Sequence, residues 1–219
     1  MRKRTTLLAV GGMVLSLLAP TSSAQAGPFQ APPPGSIDIR LVTVNGTGCP
    51  DARTGLVAVA PDKTAFTVTY RSHHYIAQVG PATNPTASRV NCQLTMAVHV
   101  PQGFTYAIAK ADYSGYARLA KSASGLEQAS YYFQGQPNTT RRRHQITGPK
   151  KGNFAFTDKI AVGALVWAPC GVDRNVNVNT ELRVNAGSSH PSKNPSYLRM
   201  GSTDGRIKSK FNLSWKRCR

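Results

Sequence analysis

In Asn175-Val176-Asn177-Val178-Asn179-Thr180-Glu181-Leu182-Arg183-Val184, polar and apolar side chains alternate almost without a break. An extended backbone sends successive side chains to opposite sides, so Val176, Val178, Leu182 and Val184 share one face and Asn175, Asn177, Asn179, Glu181 and Arg183 the other. A helix would scatter both sets around its axis. The same period of two recurs outward from this stretch. Ile37, Ile39 and Leu41 alternate with Asp38 and Arg40, and Leu94, Met96, Val98 and Val100 alternate with Thr95, Ala97 and His99. Turn formers separate the runs: Pro61-Asp62-Lys63, Gly80-Pro81, Pro101-Gln102-Gly103, Ser114-Gly115, Gly148-Pro149 and the segment 185–195. Roughly ten short strands at this spacing predict an all-β fold, an antiparallel β-sandwich with a jelly roll among its variants. Tyr106 to Ala123 is alanine-rich enough for a helix, but Gly115 and the neighbouring tyrosines favour a strand, a bend and a second strand. No composition shift divides residues 36–219, so one domain is expected.

The two ends of the chain carry different signals. Arg2, Lys3 and Arg4 precede an apolar run from Leu7 to Ala19 and a small-residue stretch ending Ala24-Gln25-Ala26, the pattern of a secretory signal peptide spanning 1–26. The run is shorter than the roughly 20 apolar residues that a membrane span needs, and no later stretch approaches that length. Residues 27–35 hold four prolines and read as a linker. The full chain of 219 residues has 27 Lys+Arg against 9 Asp+Glu, a net charge of +18. Three of the cations precede Ala26 and every acid follows it, so the mature chain keeps +15 (18 less 3). Export makes the even cysteine count interpretable: Cys49, Cys92, Cys170 and Cys218 are expected to form two disulfides. Four thiols allow three pairings; joining neighbours in sequence, Cys49 with Cys92 and Cys170 with Cys218, is the expected one, each closure contributing about 4 kcal/mol.

Several fixed words run through the chain in order: Gly46-Thr47-Gly48-Cys49-Pro50, Ser88-Arg89-Val90-Asn91-Cys92-Gln93-Leu94, Pro101-Gln102-Gly103-Phe104, Asp112-Tyr113-Ser114-Gly115-Tyr116, Tyr131-Tyr132-Phe133-Gln134-Gly135-Gln136, Trp167-Ala168-Pro169-Cys170-Gly171, Ser202-Thr203-Asp204-Gly205 and Trp215-Lys216-Arg217-Cys218. Together they resemble a family of small secreted proteins of fungi and actinobacteria, domain of unknown function family 4360. The resemblance covers nearly the whole mature chain and all four cysteines. It implies a secreted, β-rich, doubly disulfide-bonded domain, and no activity, ligand or catalytic residue. The abundance of cations departs from that family's pattern. Within the words themselves, Trp167 and Trp215 each stand three residues before a cysteine and are expected to pack beside a disulfide, while Gly46, Gly48 and Gly205 suit turns of positive φ.

Catalytic signatures are sparse. The chain has no Gly-x-Ser-x-Gly elbow, no His-Glu-x-x-His pair and no phosphate loop. His73, His74, His99, His144 and His190 are scattered without chelating spacing, and no metal or cofactor is expected. Asp112 and Asp158 adjoin apolar strands and form the one carboxylate pair that a glycan hydrolase could use. An extracellular protease inhibitor is a further alternative, resting only on the disulfide-bonded scaffold.

Binding has more behind it. Arg206, Lys208 and Lys210 alternate with Ile207, Ser209 and Phe211, giving the last strand one cationic face, and Lys216, Arg217 and Arg219 follow. Arg141, Arg142, Arg143, Lys150 and Lys151 make a second cluster. These two patches suit anionic polymers of the cell envelope, although cations on an edge strand also serve simply to block edge-to-edge pairing. Tyr113 and Tyr116, with the row Asn175, Asn177 and Asn179, offer stacking and amide contacts to a glycan. Sequence-specific nucleic-acid reading lacks a recognition helix or RNP-like word. Asn45-Gly46-Thr47, Asn138-Thr139-Thr140 and Asn212-Leu213-Ser214 are glycosylation acceptors in a host with the transferase. The sequence therefore predicts a secreted monomer that binds envelope polymers non-enzymatically.

Overall fold

The computed structural model describes residues 37–50, 55–202 and 204–218. The expected signal peptide, the proline-rich linker and Arg219 lie outside these. Twelve strands run in chain order: β1 (Asp38–Asn45), β2 (Gly55–Val59), β3 (Ala65–Arg71), β4 (Ile76–Val79), β5 (Arg89–His99), β6 (Phe104–Leu119), β7 (Ser124–Phe133), β8 (Thr139–Thr147), β9 (Lys150–Lys159), β10 (Val176–Asn185), β11 (Ser196–Met200) and β12 (Arg206–Arg217). The described residues hold only two short 3-10 turns besides. Five strands form a sheet in the order β1-β5-β10-β7-β8, and seven form a second around β6. β12 and then β11 pair along one edge of β6 while β9 pairs along the other; β3 and β2 extend the sheet beyond β12, and β4 lies beyond β11. Every pairing is antiparallel, as the predicted β-sandwich requires.

The inward half of each alternation meets between the sheets. On β10, Val176, Val178, Leu182 and Val184 are buried, and on β5 so are Val90, Cys92, Leu94, Met96 and Val98. They face aromatic side chains of the larger sheet, including Phe66, Tyr106, Tyr113 and Phe211, with Phe66 stacked on Phe211 at 5.0 Å between ring centres. Full burial of each large side chain stabilises by roughly 1.5–3 kcal/mol relative to exposure. The disulfides join Cys49 to Cys92 and Cys170 to Cys218, closing separations of 43 and 48 residues, so the expected pairing holds.

Three local expectations need correction. Tyr106 to Leu119 belongs to one continuous strand with no bend at Gly115. The glycine is there for space: a Cβ would lie 2.2 Å from the Arg199 carbonyl oxygen and 2.5 Å from the Phe154 ring. Gly46 and Gly205 do take positive φ, but Gly48 instead makes room for the Tyr75 ring, 2.5 Å from where its Cβ would sit. Trp215 is buried against Tyr106, whereas Trp167 is only half-buried beneath the Lys216 ammonium, 4.2 Å from its ring centre.

Candidate functional site

β12 carries the predicted alternation: Arg206, Lys208 and Lys210 are exposed, and Ile207, Ser209 and Phe211 are buried. Its position decides what those cations are for. β12 lies between β3 and β6, paired on both sides, so its lysines are not guards on an open sheet edge. Register then fixes their neighbours, because side chains directly opposite in an antiparallel pair share a face. Arg71 of β3 stands opposite Arg206. Lys110 of β6 stands opposite Lys159 of β9, and Arg118 opposite Lys151. Arg199 of β11 stands opposite Tyr116. The outer face of the larger sheet is therefore cationic from β3 to β11, with successive outward residues about 7 Å apart along a strand and about 5 Å across strands.

Among the described strand residues of that face, Asp112 is the one carboxylate. Its partial burial pushes its pKa up, but hydrogen bonds from Lys110 Nζ (2.8 Å) and Thr157 Oγ1 (2.6 Å), with the charges of Lys110 and Lys210, outweigh this and hold it below the usual carboxylate range. Asp204, in the turn before β12, is likewise held low by a hydrogen bond from the Ser202 hydroxyl and from the Arg206 backbone N–H. Both acids are ionised at neutral pH and still leave the face strongly positive.

The predicted cationic clusters are redistributed. Arg141 and Arg143 lie on β8, at the edge of the smaller sheet, on its outer face; Arg142 turns toward β9 and donates to the Lys159 carbonyl at 3.2 Å. Lys150 and Lys151 open β9 on the larger sheet, so the apparent second patch is split between two sheets. Lys216 covers Trp167, and the Arg217 guanidinium lies 5.5 Å from the Phe104 ring centre. Arg71, Lys110, Arg118, Lys159 and Arg199 escaped sequence reading, since none has a second cation beside it in the chain and only pairing brings it onto the face that β12 shares.

The predicted glycan contacts also separate. Tyr113 is 2% exposed and is a core residue with no face for a ligand. Tyr116 is on the outer face of the larger sheet, stacked with Tyr197 at 6.1 Å. Asn177 and Asn179 are on the outer face of the smaller sheet, while Asn175 precedes β10 and donates to Gln134 Oε1 at 3.0 Å. Around Asn177 the amides are already engaged: Thr95 Oγ1 donates to Asn177 Oδ1 at 2.8 Å, and Tyr132 donates to Gln93 Oε1 at 3.0 Å. Asn179 Oδ1 is buried without a hydrogen-bond partner.

Asp112 and Asp158 do not converge. Asp158 stands opposite the inward Ala111, while Asp112 stands opposite the outward Thr157, so the two carboxyls leave the sheet on opposite sides and cannot flank one glycosidic bond. Asp158 belongs instead to a buried chain. Tyr131 donates its hydroxyl hydrogen to Asp158 Oδ2, which leaves Tyr113 to donate to the Tyr131 oxygen at 2.8 Å. His144 Nε2 meets Asp158 Oδ1 at 2.5 Å, its ring stacked on Phe156 at 4.4 Å. Deeper on β7, Glu127 is fully buried with both carboxyl oxygens unpartnered. Desolvation, reinforced by the neighbouring Asp158 charge, pushes its pKa up to about 8. His99 pairs with Asp173 at 3.5 Å, and His73 and His74 are exposed after β3. Among the described residues no three His, Cys, Asp or Glu side chains gather where a metal ion could sit.

A two-sheet antiparallel sandwich closed by two disulfides is a β-rich scaffold of the kind that persists in an oxidising, extracellular setting. Among the described residues no helix is long and apolar enough to cross a membrane. The chain belongs to the family described as Domain of unknown function (DUF4360), which it matches over residues 35–218. It is 33% identical over 192 residues to an uncharacterized secreted protein of Arthroderma benhamiae, covering 88% of this chain and 76% of that one. The protein is secreted. Among solved structures, one titled for CBM4 structure and function shares 14% identity over 79% of this chain and 85% of its own, at a TM-score of 0.28. The enzymatically active domain of a bacteriophage CBA120 tailspike shares 10% over 84% of this chain and 20% of its own, at 0.22.

Proposed function

We propose that the protein is a non-enzymatic extracellular binding module that adheres to anionic cell-envelope polymers through the outer face of its seven-stranded sheet. The observation that supports this best is the interior position of β12: Arg206, Lys208 and Lys210 stand in the middle of a sheet face whose neighbours add further cations and one carboxylate. An edge strand would explain its own lysines by protection from aggregation; an interior strand has no such need. A flat array of this kind attracts a polymer by many weak contacts, which are screened within about 8 Å at physiological salt. The test is retention on immobilised heparin and on teichoic acid over a salt gradient, comparing the natural protein with a Lys208→Glu, Lys210→Glu double variant. Retention should end near 0.2 M salt, about the range where such contacts are screened, and the double variant should elute earlier. Absence of retention at low salt, or unchanged elution of the variant, refutes the reading.

A second reading, neutral-glycan binding at the outer face of the smaller sheet, is favoured by the orphan Asn179 Oδ1 beside the amide and tyrosine cluster of Gln93, Asn177 and Tyr132. Binding to uncharged glycans that disappears in an Asn179→Ala variant would support it, and no binding would dismiss it.

A further inference from the structure

At one end of the cationic face, the close of β6, the opening of β9 and the loop before β11 surround a hollow of about 350 Å³. Arg118, Lys150, Lys151 and Lys193 line it, and no carboxylate does. None of the four forms an ion pair among the described residues, although elsewhere Asp38, Asp112, Glu181 and Asp204 are each matched to a nearby Lys or Arg. Four like charges converging on a concave surface repel one another, and a concave wall of low dielectric focuses their field into the hollow. An anion entering the hollow would relieve that repulsion.

The surroundings narrow the chemistry. Tyr197 stands directly opposite Arg118, and Tyr116 lies two residues before it on the same face of β6. Their rings stack at 25°, on the same outer face as Arg118, which lines the hollow. The Arg199 guanidinium sits 6.0 Å from the Tyr116 ring centre, and its Nε is buried with no acceptor. A carboxylate offers two coplanar oxygens and one charge; a phosphoryl group offers acceptors in several directions and up to two charges, which suits donors arriving from three chain segments. Sugar rings pack their apolar C–H faces on aromatic surfaces of this kind.

We propose that this hollow is a phosphoryl site for a phosphorylated sugar unit, the phosphate held by Arg118, Lys150, Lys151 and Lys193 and the ring resting on Tyr116 and Tyr197. The proposal rests on the reading of this face as a polyanion-binding surface and gives it one discrete, saturable position.

Calorimetric titration of the natural protein with glucose 1-phosphate, inorganic phosphate, glucuronate and glucose tests it. Glucose 1-phosphate should bind most tightly, inorganic phosphate more weakly, glucuronate more weakly still, and glucose not at all. A Lys151→Gln, Lys193→Gln variant should lose roughly tenfold or more for both phosphates, as expected for two charge-assisted contacts. Tyr197→Ala should bring glucose 1-phosphate down to the level of inorganic phosphate and leave the latter unchanged. The Lys208→Glu, Lys210→Glu variant separates the two claims: it should elute early from heparin and still bind glucose 1-phosphate. Saturable phosphate binding with no polymer retention would leave the pocket standing and remove the polymer reading. No saturable phosphate binding, equal affinity for glucuronate, or indifference to Lys151→Gln, Lys193→Gln overturns the pocket, whatever the polymer result.

Discussion

Replacing Glu127 by Gln should change how the stability of this protein depends on pH. Glu127 points from β7 into the core, is fully buried, and has no hydrogen-bond partner for either carboxyl oxygen. Burial first, and the Asp158 charge second, raise its pKa from 4.5 to about 8. Between those values the folded protein holds a proton that the unfolded chain has released, so the contribution of this group to stability is fully present below about pH 4.5 and is lost as pH rises toward 8. Each pH unit in that window costs about 1.4 kcal/mol, and the whole interval amounts to roughly 5 kcal/mol. That is a large part of the 5–15 kcal/mol typical of a domain. Glutamine keeps the shape of the neutral acid and cannot ionise. Denaturant unfolding of the natural protein and of Glu127→Gln at intervals from pH 4.5 to 8.5 isolates the effect, because the other titrating groups are common to both. The two should be nearly equal at pH 4.5, and the variant should gain on the natural protein by a slope near 1.4 kcal/mol per unit. A difference that stays flat over this range refutes the placement of an unpaired carboxyl in the core.

Two further substitutions probe the scaffold. Tyr131→Phe removes the donor to Asp158 and the acceptor for Tyr113, and leaving two buried polar groups short of a partner should cost about 1–3 kcal/mol each in denaturant unfolding; a change below about 0.5 kcal/mol, the scale of an ordinary surface substitution, would contradict the buried chain. Gly115→Ala drives a Cβ to 2.2 Å from the Arg199 carbonyl and should cost several kcal/mol or prevent folding, while Gly163→Ala, with nothing within 4 Å and no positive φ, should be neutral within about 0.5 kcal/mol in thermal unfolding. Equal effects at the two glycines would argue against the packing of β6 on β11 and β9.

The elements whose two faces meet different surroundings were legible in sequence. On β5, β10 and β12 the inward residues are mostly apolar, Thr180 and Ser209 excepted, and the outward ones mostly polar, because one side of each strand packs in the core and the other meets water. β6 was harder to read. Its stretch Ala107-Ile108-Ala109 carries apolar residues on both faces, and Gly115 sits where another backbone approaches, so alternation alone left a helix and a bend in play. Tyr113 and Tyr116 differ in role for the same reason: an odd separation along a strand places them on opposite faces, and nothing in their identity says which is the core.

Sequence alone determined the class of structure, the even cysteine count that predicts two disulfides and the excess of positive charge, because alternation, turn chemistry and composition are local properties of the chain, whereas which cysteines pair was settled by the fold. The tertiary structure decided which charges share a face. Arg71, Lys110, Arg118, Lys159 and Arg199 lie in strands remote from Arg206, Lys208 and Lys210, and only antiparallel register brings them onto one face. It also separated Asp112 from Asp158, since one residue of offset between paired strands turns a side chain from solvent to core, and that offset is set by pairing across the sheet.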